Sequence, residues 1–183
     1  MGRWKPIKLE DLSEDTRKVY DTLNEESDLA CVLIGTSYLA ELLASTIKVG
    51  FIESSVSESL LDPQRGAVGG FATRADLAYS LGLISKDVYQ DLIKVAEVRN
   101  IFAHNHLALS FAESAVRKIC DELKAWRFML LGEDEEVPAD PTPEQIQMRA
   151  RNQFKLSVVF VGMRIHVDAL SRKLQCESKA KAV

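Results

Sequence analysis

The sequence predicts an all-α fold: a single-domain bundle of six to seven helices. Apolar residues recur at intervals of three and four along most of the chain, and no segment shows sustained alternation of apolar and polar residues. The five prolines and nine glycines fall mostly between these periodic segments. A length of 183 residues suits one domain, with a core over about 12–175 and a flexible tail over 176–183.

The first two helices are predicted from their capping residues. Ser13 is a suitable N-cap for a helix over 13–24, whose apolar stripe includes Tyr20 and Leu23. Ser27 or Asp28 then caps a long helix that runs to about residue 49. The apolar stripe of this helix, which predicts a central element, consists of Leu29, Val32, Leu33, Ser37, Ala40, Leu43, Ala44 and Ile47.

The middle of the chain is divided by turn residues. A short helix over 56–61 is followed by a loop over 62–70, where Asp-Pro and Gly-Gly pairs favour turns. The next helix covers 71–81 and ends at Gly82, and Ser85 caps the fifth helix, which covers 86–103.

Two further helices complete the predicted bundle. One covers 111–131 and stops at Gly132, and an acidic loop over 133–140 follows. Thr142 is a suitable N-cap and Pro143 suits the first helical position, so a last long helix is predicted over 144–175.

Composition excludes several classes of function. The net charge of −4 and the pI of about 5.5 argue against general nucleic-acid binding. Glu41 and Lys48 interrupt the most apolar stretch, so no membrane span is expected, and no apolar run near the N-terminus resembles a secretory signal. Cys31, Cys120 and Cys176 are too far apart for a Cys-x-x-Cys metal site. We therefore expect a cytoplasmic protein without metal or cofactor.

The fifth predicted helix carries the candidate site. Arg99 and Asn100 fall within its apolar stripe, beside Val95 and Phe102, and His104 follows at the helix end. An imidazole can move a proton from a ribose 2′-hydroxyl, and a guanidinium can stabilise charge that develops on a phosphate. Arg99, Asn100 and His104 are thus candidate catalytic residues of a metal-independent ribonuclease.

The same three residues also have a structural interpretation. An inward-facing Arg99 needs a partner, and Asp76 or Glu41 is the acid expected to supply it, while Asn100 and His104 cap the end of the helix. Arg99 and His104 are separated by about 140° around an ideal helix. They converge only if the helix ends or tightens near residue 103, or if a second subunit supplies the partner.

A longer stretch of sequence resembles the mannitol operon repressor family. The residues that carry the resemblance are Leu-Leu-Asp at 60–62, Gly-Gly-Phe-Ala-Thr-Arg-Ala-Asp-Leu-Ala-Tyr-Ser-Leu-Gly-Leu-Ile-Ser at 69–85, Tyr89, Asp91, Leu92 and Arg-Asn-Ile-Phe-Ala-His at 99–104. The resemblance implies an all-helical regulator that acts through a protein partner as a homodimer. Direct DNA binding is not expected, because the helix pair over 71–81 and 86–103 carries four acidic and four basic residues.

A second resemblance overlaps the first. An arginine, four residues and a histidine at a helix end are similar to the signature of the HEPN superfamily, which includes ribonuclease toxins and noncatalytic RNA-binding proteins. This resemblance implies a site made of Arg99 and His104, with Asn100 as its polar companion, in a dimer whose motifs face each other. The chain has His106 where one subgroup has tyrosine.

Three interpretations follow from these observations. The preferred one is a regulatory protein that works through a protein partner. The alternative is an HEPN-type endoribonuclease, a toxin or defence component, with RNA as its substrate. The third is a helical domain in which Arg99, Asn100 and His104 are purely structural.

Overall fold

The computed structural model describes residues 7–104, 109–130 and 140–180. Within these ranges, seven α-helices follow one another: α1 Glu14–Glu25, α2 Asp28–Lys48, α3 Ser55–Leu61, α4 Phe71–Ser80, α5 Lys86–His104, α6 Ser114–Glu122 and α7 Pro143–Ala180. The predicted all-α bundle of six to seven helices is confirmed. His106, Gly132, the acidic segment 133–139, the side chain of Cys176 and residues 181–183 lie outside the described part of the chain.

Serine side chains start the first three helices. The Oγ atoms of Ser13, Ser27 and Ser54 accept hydrogen bonds from backbone N–H groups three residues later, at 3.3, 3.3 and 3.2 Å. Each bond satisfies a donor that the first turn of a helix leaves unpaired. At the end of α4, Gly82 has a φ of 63°, which a residue with a side chain rarely adopts. The caps predicted at Ser13 and Ser27 and the stop at Gly82 are confirmed.

Helix α7 forms the centre of the bundle. Every residue from 153 to 162 is buried, so solvent touches no side of this helix over nearly three turns. Helices α1, α2, α5 and α6 pack around it. The sequence predicts α2 as the central element, and in the structure α2 shares that place with α7.

Helices α2 and α7 cross at very short distance. A Cβ atom added at Gly35 of α2 would lie 3.2 Å from Cγ2 of Val158. A Cβ atom added at Gly162 of α7 would lie 2.8 Å from Cε1 of Tyr38. Because each helix presents a glycine to a large side chain of the other, the two backbones approach closely.

The buried face of α2 differs from the predicted stripe. Leu29, Leu33 and Ser37 are exposed, whereas Gly35 and Leu39 are buried with Val32, Leu43 and Ile47. The helix is apolar on almost all sides, so periodicity alone does not determine which face is buried. The buried face is the one whose small residues let α7 approach. Its length and mean hydropathy of 1.6 would suit a membrane span, but 44% of that window is buried, and α2 packs against four other helices.

The helix predicted over 111–131 is shorter in the structure. Helix α6 ends at Glu122, and the chain continues as a 3-10 turn over Ala125–Phe128 and a two-residue strand, β2. This strand, Met129–Leu130, pairs in parallel with β1, Ile7–Lys8. After α6, the buried carboxylate of Asp91 in α5 accepts hydrogen bonds from the N–H groups of Lys124 and Ala125 at 3.1 and 2.7 Å, which holds this non-helical segment against α5.

Candidate functional site

The predicted site residues lie on the exposed side of α5. Arg99, Asn100 and His104 are all exposed, and NH1 of Arg99 donates a 3.3 Å hydrogen bond to Oδ1 of Asn100. The buried stripe of α5 passes through Val98 and Phe102. The predicted stripe residues Val95 and Phe102 are buried, but between them the helix buries Val98, so the prediction that Arg99 and Asn100 face the core is wrong.

Neither predicted acidic partner holds Arg99. Oδ1 of Asp76 accepts the hydroxyl hydrogen of Tyr89 at 2.9 Å, and Glu41 lies near Arg74. The structural interpretation, with Arg99 buried against one of these acids, is therefore wrong. Helix α5 ends at His104, and an ideal helix separates Arg99 and His104 by about 140° around its axis. A catalytic role for the three residues stays a prediction.

Arg74 of α4 is a buried arginine that no pattern in the sequence indicates. Its guanidinium donates to three backbone oxygens, those of Val68 at 3.0 Å, Ala40 at 3.0 Å and Leu61 at 2.6 Å. Burial lowers the pKa of this side chain, and the charge of nearby Glu41 opposes that change. Arg74 thus joins three segments: α2, the end of α3 and the loop that precedes α4.

A second polar cluster joins α7 to the junction between α1 and α2. NH1 of Arg151 lies 2.7 Å from Oδ1 of Asp28, and Nε2 of Gln147 donates to Oδ2 of Asp28 at 2.8 Å. NH2 of Arg151 also donates to the backbone oxygens of Leu23 and Asn24 in the last turn of α1 and of Glu26 just after it. The ion pair therefore fixes the turn between two helices as well as their contact with α7.

Lys155 lies one turn further along α7 and is 2% exposed. Its Nζ donates to Oδ1 of Asn24 at 2.6 Å and stands 5.3 Å from the ring centre of Tyr20. Burial lowers the pKa of Lys155, and the positive charge of Arg151 lowers it further. These contacts attach α1 to α7.

The chemistry of the remaining polar groups is limited. Within residues 7–104, 109–130 and 140–180, no group of three or more His, Cys, Asp or Glu residues has the arrangement of a metal site. Burial raises the pKa of Cys31 to about 11 and that of Cys120 to about 12. Both side chains are therefore uncharged thiols near neutral pH, the unreactive form of cysteine.

Several exposed apolar side chains are close in sequence where α2 ends and α3 begins. Ile52 is 84% exposed, Val49 78% and Val56 67%, and Leu60, one helical turn after Val56, is 37% exposed. We call these four residues the α2–α3 corner. Beside them is a shallow depression of about 430 Å³ whose lining includes Phe51, Ile52, Lys48, Glu53 and Glu58. No sequence pattern indicates this surface, because solvent exposure here depends on how α3 packs.

The fold of this chain is similar to that of a chain in a solved protein complex. A chain in the X-ray structure of the MtlR–HPr complex from Escherichia coli superposes with a TM-score of 0.65 at 19% identity. The match covers 84% of this chain and 99% of the other. Among curated proteins, none matches the sequence.

The family follows from the sequence as a whole. The model of the MtlR family, described as mannitol repressor, matches residues 15–175, which include all seven helices except the first residue of α1 and the end of α7. The motifs that carry the resemblance lie within residues 60–104, and the family match covers the bundle around them. The chain belongs to the mannitol repressor family.

Proposed function

We propose that this protein is a regulator of the mannitol-repressor type that acts by binding a protein partner, HPr. One observation carries the proposal: the family match and the fold match both extend over nearly the whole bundle. The solved chain with this fold occurs in a complex with HPr.

A binding measurement tests the proposal directly. The purified chain is titrated with HPr from the organism that encodes it, and the heat of association is recorded. We expect saturable binding with one HPr per chain. The control is a small protein of matched size and charge, which is expected to release no heat of binding. Absence of HPr binding by the folded chain would overturn the proposed function.

The regulatory part of the proposal has its own test. Deletion of the gene is expected to raise transcription of the mannitol operon, and the wild-type gene supplied in trans is expected to restore the original level. We further propose that the protein is a cytoplasmic homodimer. Sedimentation equilibrium of the purified chain measures the mass of the assembly, and a single species of 20.4 kDa would contradict the dimer.

A ribonuclease of the HEPN type is a second candidate function. The observation in its favour is that Arg99, Asn100 and His104 are all exposed and so accessible to an RNA substrate. The test is incubation of a mixed RNA pool, in the presence of EDTA, with the wild-type protein and with His104→Ala. Cleavage by the wild type that is lost in the variant supports this function, and no cleavage by the wild type overturns it.

A further inference from the structure

Residues 7–26, which include β1 and α1, cover one side of the bundle with few buried side chains. We call these residues the N-terminal segment. Leu23 is the one buried residue among the twelve of α1, whereas α2 buries eight of its 21 residues and α5 six of its 19. Before α1, Leu12 is also buried. Because the burial of apolar side chains supplies most of the favourable free energy of folding, α1 is held less firmly than the helices behind it.

The strand at the start of this segment adds little to its attachment. β1 pairs with β2 over two residues, Ile7 with Met129 and Lys8 with Leu130. A two-stranded ribbon of this length is not stable in water without further packing. Separation of the segment from the bundle therefore breaks one short ribbon and the contacts of α1, while α2, α5, α6 and α7 keep the contacts that they make with one another.

The polar contact beneath α1 buries a charge at a cost. Nζ of Lys155 in α7 meets Oδ1 of Asn24 and the ring of Tyr20, both of which belong to α1. Neither group is negatively charged, and the nearby acid Asp28 already forms an ion pair with Arg151. Burial of a charge without an opposite charge is unfavourable. Because both of these contacts of the ammonium group come from α1, separation of α1 returns Lys155 to water.

Separation of α1 also reverses the charge of this side of the bundle. The exposed charges of α1 are four acidic and two basic: Glu14, Asp15, Asp21 and Glu25 against Arg17 and Lys18. The charged groups beneath it are Arg151 and Lys155 of α7 and Asp28 of α2, two positive charges against one negative. With the segment in place this side of the bundle is acidic, and without it the same side is basic.

We propose that the N-terminal segment is a detachable cover, which opens as a unit while the rest of the bundle stays folded, and that the buried charge of Lys155 favours the opening. The closed state hides Lys155 behind α1, and the open state exposes it beside Arg151. An equilibrium between two such states responds to any ligand that binds one of them better than the other. The fold thus contains a conformational device that is independent of the proposed function.

Hydrogen exchange of the full chain, followed by mass spectrometry of its peptides at increasing urea, tests the proposal. We expect the amides of α1 to exchange at least about tenfold faster than those of α5 without urea. Their exchange is also expected to depend less steeply on urea, because opening of the segment exposes less surface than global unfolding does. Equal rates and equal urea dependence in α1 and α5 would overturn the proposal. Exchange in α1 that does not depend on urea at all would do so too, since it indicates fraying of single residues.

Two leucine substitutions show whether α1 opens alone. Leu92→Ala leaves a cavity in the core at α5 and is expected to accelerate exchange in α2 and α5 at least about thirtyfold, with exchange in α1 unchanged. Leu23→Ala is the matched substitution in α1, and it is expected to accelerate exchange in α1. Acceleration of α1 by Leu92→Ala that equals the acceleration of α5 would overturn the proposal. If Leu92→Ala does not fold, the urea series on the wild type distinguishes the same two outcomes.

The variant Lys155→Met tests the role of the buried charge. We expect exchange in α1 to slow at least about threefold, because closing of the segment no longer takes a charge out of water. The matched control is Lys18→Met, which removes an exposed charge of α1 that pairs with Glu14 and is expected to change exchange by less than about twofold. Unchanged or faster exchange of α1 in Lys155→Met would overturn the role of the buried charge in the opening.

Discussion

Arg151 of α7 forms an ion pair with Asp28, the first residue of α2, across a distance of 2.7 Å. Both side chains are largely buried, and each also has neutral partners: three backbone oxygens for Arg151, and Gln147 and the N–H of Phe111 for Asp28. The pair therefore holds α1, α2 and the segment before α6 to the central helix. Removing either side chain of such a buried ion pair leaves the other charge buried without its partner, which strongly destabilises the fold.

The first prediction concerns this pair. Arg151→Met is expected to lower the free energy of unfolding by about 3–5 kcal/mol, because it leaves Asp28 charged, buried and unpaired. The control is Lys18→Met, which removes the exposed ion pair with Glu14 and is expected to cost less than about 1 kcal/mol. Urea unfolding followed by circular dichroism measures both values. Equal effects of the two substitutions would contradict the structural role of Arg151.

The second prediction contrasts two arginines. Arg74→Met is expected to lower the free energy of unfolding by about 3 kcal/mol, since three backbone oxygens lose their donor in a buried place. Arg74→Lys is expected to restore only part of this, because an ammonium lacks the planar fork that reaches all three oxygens. Arg99→Met on the exposed side of α5 is expected to change stability by less than about 0.5 kcal/mol. A larger effect at Arg99 than at Arg74 would contradict the assignment of the buried arginine.

Arg74 and Arg99 also show which structural features can be predicted from the sequence. Helix starts are encoded locally, so Ser13 and Ser27 were identified correctly from the residues that follow them. The phase of a buried stripe is a tertiary property. In α5, residues 98 and 99 are both compatible with the apolar periodicity, and only the packing of neighbouring helices places Val98 inside and Arg99 outside. For this reason Arg99 and Asn100 are exposed, although the apolar periodicity predicts that they face the core.

Other features depend on contacts between distant residues. Arg74 is buried because its donors meet the oxygens of Ala40 and Leu61, which are 34 and 13 residues away. Asp91 holds the segment after α6 through hydrogen bonds from Lys124 and Ala125, more than 30 residues away, which no pattern near residue 122 reveals. The α2–α3 corner likewise becomes visible only when the solvent exposure of Ile52 is known.

The third prediction concerns pH. Burial lowers the pKa of Lys155 in the folded protein below the value of about 10.4 that lysine has in an unfolded chain. The folded state thus binds this proton less tightly than the unfolded state does, so the stability contributed by Lys155 rises as the pH increases between these two pKa values. At a pH below the pKa of Lys155 in the folded protein, Lys155 is charged in both states, and the cost of burying this charge lowers the free energy of unfolding in full.

The variant Lys155→Met isolates this contribution. Methionine fills a similar volume without a charge, and Asn24, which loses its donor, is exposed to water. We expect the wild type to gain stability relative to the variant as the pH is raised from neutral towards about 10.4, the pKa of an unfolded lysine. Urea unfolding of both proteins across this range gives the difference. A difference that does not change with pH would contradict the effect of burial on Lys155.

The fourth prediction concerns the close crossing of α2 and α7. In Gly162→Ala the new Cβ would lie 2.8 Å from Cε1 and 2.9 Å from the hydroxyl oxygen of Tyr38, so the ring must move. We expect a loss of about 1–3 kcal/mol of stability from this overpacking. The loss occurs although alanine favours a helix by about 1 kcal/mol over glycine.

Removal of the ring separates these two effects. In a Tyr38→Leu background the clash is absent, so Gly162→Ala is expected to be neutral or to stabilise the protein through helix propensity. The double-mutant cycle, measured by urea unfolding, is expected to give a coupling of at least about 1 kcal/mol between the two positions. A coupling near zero would mean that Tyr38 does not limit the approach of α7, and that the glycine is not required for the helix crossing at the centre of the bundle.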